Sequence, residues 1–171
     1  MKELVLGGAR SGKSGHAQQR AIDSGLQVIY LATATVGDAE MQARIERHQA
    51  DRPAHWQLIE EPVCLADTLK EQATGSHCIL VDCLTLWLSN LLGLQDEARF
   101  QSELDKLFEI LPGLPGHIIF VSNETGLGII PMGELTRRYC DEAGLLHQRL
   151  AQLCQQVTFM VAGLPQIIKK P

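Results

Sequence analysis

A glycine-rich segment near the start of the chain constrains the possible fold more than any other feature. Residues 7–14 read GGARSGKS, which fits the pattern G-x-x-x-x-G-K-[ST]. The segment follows an apolar run at residues 4–6 and precedes residues 14–24, whose spacing predicts a helix. In such a strand–loop–helix unit, backbone N–H groups cradle phosphate oxygens and the helix N-terminus favours anions. The pattern predicts a nucleoside triphosphate site; a glycine-rich turn with a surface lysine is the alternative.

Three side chains have predicted roles around this phosphate. Lys13 should reach the β- and γ-phosphates, and the Ser14 hydroxyl should bind Mg²⁺. An acidic residue at the end of another buried strand is expected near the same ion, and Asp82 directly follows the apolar run at residues 78–81. Because Asp82 also precedes a segment of helical spacing, a helix N-cap is the alternative for its carboxylate.

Short apolar runs alternate with segments of helical spacing along the chain. None of the runs alternates apolar with polar residues, so each fits a strand that is buried on both faces. The runs lie at residues 4–6, 28–32, 78–81, 118–121 and 157–161, and the predicted helices at 14–24, 38–49, 62–72, 84–92, 97–111 and 133–155. This order predicts an α/β fold, P-loop NTPase-like (RecA-like), with a mostly parallel sheet flanked by helices in one domain over residues 1–171.

Composition narrows the class of protein. With 45% hydrophobic and 20% charged residues the chain can build a full core. The net charge of −5 argues against a nucleic-acid binder, although a few local donors can still hold a triphosphate. Five cysteines without a CxxC pair argue against a zinc site and fit a reducing compartment. With no signal peptide or membrane-length apolar run, we expect a cytoplasmic protein without a membrane span.

The segment at residues 38–56 contains a histidine with two possible roles. Met41, Ile45 and His48 share one face of the predicted helix, so a packed structural histidine is favoured from periodicity alone. Arg44, Arg47 and Arg52 could hold phosphates around His48 and keep its imidazole neutral, as a nucleophile requires. His55, beside Trp56, could equally be a packing residue.

Taken together, these residues resemble the bifunctional adenosylcobinamide kinase / adenosylcobinamide-phosphate guanylyltransferase family of cobalamin biosynthesis. The resemblance runs from residue 4 to 163, and the stretches around His48 and at 123–131 are specific to the family. Asp82 stands where some members carry Glu, which preserves the charge. The matching stretches are GGARSGKS (7–14), ATA (32–34), E-M-x-A-R-I-x-x-H (40–48), R-P-x-x-W (52–56), DCLT (82–85), NLL (90–92), S-N-E-x-G-x-G-I-x-P (122–131) and R-x-x-D-x-x-G-x-x-x-Q-R-L (138–150).

The resemblance implies two reactions and a homotrimer. First, ATP or GTP phosphorylates the aminopropanol hydroxyl of adenosylcobinamide; then GTP transfers GMP to that phosphate, giving adenosylcobinamide-GDP and pyrophosphate. In the family the GMP passes through a phosphoramidate on a histidine, and His48 occupies the matching position. The residues implied in nucleotide binding are Gly7, Gly8, Ala9, Arg10, Ser11, Gly12, Lys13, Ser14, Thr33, Ala34, Thr35, Gln49, Ala50, Asp51, Arg52, Glu61 and Asp82, with Mg²⁺ on Ser14 and Asp82.

Several of these assignments keep alternatives. Thr33 could simply form a strand-to-loop turn, and Glu60 with Glu61 could be an exposed acidic pair rather than a contact to the ribose or base. Residues 123–128 could contact substrate or form an ordinary turn. For the whole chain, the alternatives are a kinase of another small molecule without guanylyl transfer, and a nucleotide-gated regulator without transfer chemistry.

Overall fold

A seven-stranded sheet forms the centre of the molecule in the computed structural model, which describes residues 1–35 and 53–170. The strand order is β3-β2-β4-β5-β1-β6-β7, and every neighbouring pair is parallel except β6 and β7. All five predicted apolar runs lie in strands. The strands are β1 (Lys2–Gly7), β2 (Gln27–Ala32), β3 (Gln57–Glu60), β4 (His77–Asp82), β5 (His117–Asn123), β6 (Gln156–Val161) and β7 (Leu164–Lys169).

Helices cover both faces of this sheet, as the alternating pattern predicts. Five of the six predicted helices fall in the described part of the chain and form there, whereas the one at residues 38–49 lies outside it. Their bounds differ from the predicted ones by three residues at most. They are α1 (Lys13–Asp23), α2 (Leu65–Gln72), α3 (Leu84–Gly93), α4 (Glu97–Ile110) and α5 (Glu134–Leu153). A short 3₁₀ turn, Leu111–Gly113, follows α4.

The core is divided by the sheet into two layers. Leu4 and Leu6 of β1 face one layer, which also contains side chains from α2, α3, α4 and α5. Val5 faces the other, where Ala17 and Ala21 of α1 bring that helix close to the sheet. Successive strand residues point to opposite faces, so an uninterrupted apolar run is what a strand covered on both sides requires.

The sequence pattern does not predict two of the strands, β3 and β7, because both lie at the edges of the sheet. β3 is only four residues long and mostly exposed. β7 is exposed along its whole length and contains Pro165, a residue tolerated in edge strands. It pairs with β6 through a tight turn in which Ala162 and Gly163 have φ of 51° and 81°. Two successive positive φ values are typical of hairpin turns.

The five cysteines differ in their burial. All five are free thiols, and Cys78 and Cys154 are buried. Burial raises the pKa of Cys78 to about 11 and that of Cys154 to about 12, so both thiols stay protonated at neutral pH.

Among the helices of residues 1–35 and 53–170, none has the length and apolar character that a membrane crossing requires.

Candidate functional site

The glycine-rich segment at residues 7–14, here called the phosphate loop, connects β1 to α1 as predicted. β1 ends at Gly7 and α1 begins at Lys13. Arg10 and Gly12 have φ of 55° and 92°, so the chain reverses through left-handed positions before the helix starts. Gly12 takes the N-cap position without any side-chain cap, which leaves the first N–H groups of the helix available to an anion.

Neighbouring strands hold the phosphate loop from behind. The N–H of Glu124, just after β5, donates to the carbonyl of Gly7 at 3.0 Å. The N–H of Gly163, in the β6–β7 turn, donates to the carbonyl of Ser11 at 3.0 Å. The loop is therefore braced both from β5 and from the β6–β7 hairpin.

Lys13 and Asp82 meet beside the phosphate loop. The Lys13 ammonium donates to the carbonyl of Gly8 at 3.1 Å. Burial lowers the pKa of Lys13, while nearby Cys83 and Asp82 act in the opposite direction. The helix-cap alternative for Asp82 is wrong: Cys83 is the N-cap residue of α3, no side chain caps that helix, and Asp82 Oδ2 instead accepts from the Tyr30 hydroxyl at 2.9 Å.

Thr33 occupies the end of β2 beside Asp82, and its side chain is fully buried. Its hydroxyl donates to the Cys83 carbonyl at 2.6 Å and accepts from the Cys83 N–H at 3.0 Å. Asn90 of α3 donates to the Thr33 carbonyl at 2.8 Å and to the Pro62 carbonyl at 3.1 Å. Thr33 thus joins the ends of β2 and β4, which matches the turn interpretation, whereas Ala34 and Thr35 follow towards solvent.

The two glutamates at the end of β3, Glu60 within the strand and Glu61 directly after it, differ in their surroundings. Glu60 is exposed, whereas Glu61 is half-buried. Glu61 Oε1 accepts from the N–H groups of Val63 and Cys64, at 2.8 and 2.7 Å, so it holds the turn that leads into α2. Its backbone N–H donates to the Ala32 carbonyl at 2.9 Å, which keeps Glu61 at the same sheet edge as the phosphate loop.

A polar cluster lies at the end of β5, the strand next to the phosphate loop. Asn123 is directly opposite Gly7 in the β1–β5 register. Its N–H donates to Thr85 Oγ1 at 2.8 Å, and its Oδ1 is buried without a hydrogen-bond partner among the described residues. A buried amide oxygen without a partner is costly unless something else meets it, so this atom fits a position beside a bound ligand.

His147 completes this cluster, and sequence reasoning missed it. The side chain is buried on α5, with Nε2 2.8 Å from Ser122 Oγ and Nδ1 3.8 Å from Glu124 Oε2. Burial lowers the pKa of His147, and Glu124 partly opposes that shift. His147 is not one of the matched residues in the resembling stretch at 138–150, so the sequence signal for it was a histidine among the apolar residues of a predicted helix.

Five predicted site residues lie outside the described residues. They are the proposed nucleophile His48 and the proposed nucleotide contacts Gln49, Ala50, Asp51 and Arg52. All other predicted site residues lie at the carboxyl ends of β1, β2, β3 and β4, in the loops that follow them or, for Lys13 and Ser14, on the first turn of α1. This is the edge where parallel α/β sheets bind ligands.

This sheet order and the loop between β1 and α1 define the P-loop NTPase class. Solved structures agree with that assignment at the level of the fold. The RadB recombinase has a TM-score of 0.53 at 16% identity, covering 92% of this chain and 73% of that one. The assembled ATPase EscN of enteropathogenic Escherichia coli has a TM-score of 0.54 at 11% identity, covering 94% of this chain and 43% of that one.

Sequence comparison narrows the class to one family. The family model described as cobinamide kinase / cobinamide phosphate guanyltransferase matches residues 3–168, so the chain belongs to that family. Bifunctional adenosylcobalamin biosynthesis protein CobP of Pseudomonas aeruginosa is 59% identical over 169 residues, covering 99% of this chain and 98% of the relative. CobU of Escherichia coli, of the same description, is 36% identical over 182 residues, covering 99% and 100%.

Proposed function

We propose that this chain phosphorylates adenosylcobinamide with ATP or GTP and then transfers GMP from GTP to the phosphate it has made. The products of the second step are adenosylcobinamide-GDP and pyrophosphate. The observation that carries the proposal is the preformed phosphate loop with Lys13 and Asp82 beside it, in a chain whose family model matches residues 3–168.

The kinase step relies on positioning and charge. The loop amides from Gly8 to Ser14 hold the β- and γ-phosphates, and the Lys13 ammonium leaves the Gly8 carbonyl to pair with them. The aminopropanol hydroxyl of the corrinoid attacks the γ-phosphorus and loses its proton to solvent. The bond from the γ-phosphorus to the β–γ bridging oxygen breaks, and the nucleoside diphosphate remains in the loop. Asn123 Oδ1 is available at the same edge to accept a hydrogen bond from the substrate hydroxyl.

Mg²⁺ fits the donors at this edge. A hydroxyl at Ser14, on the first turn of α1, and the Asp82 carboxylate at the end of β4 are oxygen ligands of the kind that Mg²⁺ prefers beside phosphates. When bound, the ion supplies neutralisation of the charge that develops on the phosphate oxygens. The Tyr30 hydroxyl, bonded to Asp82 Oδ2, fixes the orientation of that carboxylate.

The guanylyl step uses His48. A neutral imidazole nitrogen attacks the α-phosphorus of GTP; the P–N bond forms as the α–β P–O bond breaks, and pyrophosphate leaves. A phosphate oxygen of adenosylcobinamide phosphate then attacks the same phosphorus and the P–N bond breaks, which frees His48. The remaining nucleotide contacts of this proposal are Gly7, Ala9, Arg10, Ser11, Gly12, Thr33, Ala34, Thr35, Gln49, Ala50, Asp51, Arg52 and Glu61.

Labelling of the protein by GTP tests the second step. The chain is incubated with GTP labelled at the α-phosphate and then denatured. We expect an acid-labile, alkali-stable label that disappears in His48→Ala and persists in His55→Ala, an exposed histidine close by in the sequence. A wild-type protein that binds GTP and phosphorylates cobinamide without taking up label would support the alternative, a kinase without guanylyl transfer.

The proposal includes a homotrimer, supported by exposed apolar side chains. Ile129 and Met132, both in the loop between β5 and α5, are each 96% exposed. Leu127 and Ile130 in the same loop are also largely exposed, and several exposed apolar side chains in one loop are typical of interaction sites. Sedimentation velocity should give three chains per particle, and a monomer for Met132→Asp but not for Ile22→Asp.

We also assign the protein to the cytoplasm, which fits its free thiols.

A further inference from the structure

A groove of about 570 Å³ lies between three helices, away from the phosphate loop itself. Leu91 of α3 and Phe100 of α4 form its apolar floor, and Leu135 and Tyr139 of α5 line one wall. The volume is within the range of small-molecule sites. Leu135 is 67% exposed although it borders an apolar surface, so this three-helix groove presents unsatisfied apolar area to solvent.

One end of the three-helix groove reaches the edge of the sheet that carries the phosphate loop. Ser89 and the Tyr139 hydroxyl, both lining the groove, donate to the carbonyl of Thr85 at 3.0 and 3.4 Å. The hydroxyl of the same Thr85 accepts from Asn123 N–H, and Asn123 is opposite Gly7. A ligand in the groove is therefore separated from the phosphate loop by two residues, Thr85 and Asn123.

The rim of the groove indicates the charge of its occupant. Asp96 and Glu97 lie at the start of α4, opposed by a single cation, Arg138 of α5. Arg138 is bound by Glu97 at 2.5 Å and lies 5.3 Å from the centre of the Phe100 ring. With two carboxylates against one paired guanidinium, the rim disfavours phosphate groups and suits a neutral or cationic ligand.

A cobalt(III) corrinoid has this chemistry. Its ring is broad and largely apolar, its edge carries primary amides that donate and accept hydrogen bonds, and its alkylated cobalt(III) form is cationic. The aminopropanol arm extends from the ring edge, so a ring in the groove can send its hydroxyl past Thr85 to the phosphate loop. The groove is smaller than the whole substrate, and it would hold one edge of the ring.

We infer that the three-helix groove binds the corrin ring of the substrate during phosphorylation. The inference rests on the proposed function, because it places the substrate of that reaction. It assigns Leu135, Thr136 and Tyr139 to corrinoid binding, whereas the nucleotide is bound separately at the phosphate loop.

A charge placed on the groove wall tests this assignment against a matched control. Leu135→Lys puts a cation where a cationic ring should bind, and Leu145→Lys makes the same change at an exposed position of the same helix outside the groove. Thr136→Trp, a second variant, fills the groove without adding charge. Binding of cobinamide is measured by equilibrium dialysis without nucleotide, together with KM for cobinamide, KM for ATP and the sedimentation coefficient.

We expect Leu135→Lys and Thr136→Trp each to weaken cobinamide binding and raise its KM at least tenfold, with KM for ATP and the sedimentation coefficient unchanged. Leu145→Lys should match the wild type. An unchanged KM for cobinamide in both groove variants overturns the inference, as does dissociation of an oligomer, which would make the groove a subunit contact. Failure of the wild type itself to phosphorylate cobinamide would instead contradict the proposed function.

Discussion

At the scale of single residues, the Lys13 ammonium group is affected both by a hydrogen bond and by its partly buried surroundings. It donates to the Gly8 carbonyl, and burial lowers its pKa while Cys83 and Asp82 counteract that effect. A lysine held beside the loop in this way needs little reordering to reach a bound phosphate, which lowers the entropic cost of binding.

Replacing Lys13 by alanine should therefore reduce phosphorylation of adenosylcobinamide on the order of 10²–10³-fold, the range found when one charge-stabilising donor is removed from an active site. The measurement is kcat with saturating ATP. Lys70→Ala, a change at an exposed lysine of α2, should leave kcat unaltered. Wild-type turnover in Lys13→Ala would rule out the role assigned to this side chain.

How far single residues could be predicted depends on how local their partners are. Lys13 and Ser14 belong to a contiguous sequence pattern, which by itself predicts their position at the start of α1. Asp82 was predicted at the end of a strand, but its bond to Tyr30, 52 positions away, was not. His147 was missed because its role depends on Ser122 and Glu124 of another element.

At the scale of elements, the phosphate loop and β6 are in close contact at Gly7. A Cβ atom added there would lie 2.8 Å from the carbonyl oxygen of Met160 and still closer to the Ser11 hydroxyl. Both neighbours belong to the framework of the loop, and the carbonyl cannot move without disturbing the β1–β6 pairing.

Gly7→Ala should consequently lower the free energy of unfolding by about 1–3 kcal/mol, as overpacking does, and weaken ATP binding as the loop shifts. Urea denaturation and calorimetric titration measure the two effects. Gly144→Ala, in a helix where an added Cβ meets nothing within 4 Å, is the matched control and should not be destabilising. Equal stability of Gly7→Ala and the wild type would show that the loop can move away from β6.

Elements were predictable where both faces of a strand are covered. The five apolar runs all became strands, because burial on both sides forces continuous apolar sequence. β3 and β7 have an open edge and exposed side chains, so their sequences, QLIE and LPQIIK, need no such run. The positions of β3 and β7 in the sheet follow instead from their pairing with β2 and β6, and no local sequence pattern encodes that pairing.

At the scale of the whole molecule, one buried carboxylate connects three elements at the edge of the sheet opposite the site. Glu3 of β1 is 1% exposed and accepts from Arg20 of α1 at 2.5 Å and from His117 of β5 at 2.9 Å. Burial alone would raise its pKa, but the hydrogen bonds from His117 and Arg20 outweigh that effect and lower the pKa to about 2.

A carboxylate with a depressed pKa stabilises the fold above its unfolded pKa of 4.5, and this contribution is lost as pH falls towards about 2. We expect Glu3→Gln to be less stable than the wild type by about 3 kcal/mol at pH 7, with the difference shrinking between pH 4.5 and pH 2. Urea denaturation across this pH range measures it. Glu109→Gln, at an exposed position of α4, is the matched control. A difference for Glu3→Gln that stays constant across this pH range would contradict the assigned pKa of Glu3.

The bond from Gly163 to Ser11 also has a consequence for synthesis of the protein. The phosphate loop leaves the ribosome well before its brace in the β6–β7 turn, which lies about 150 residues later in the chain. β1 likewise cannot pair until both of its neighbours in the sheet, β5 and β6, have been synthesised. A nascent chain therefore carries the complete loop sequence long before it has a nucleotide site, and we expect ATP to assist the last stage of folding rather than the first.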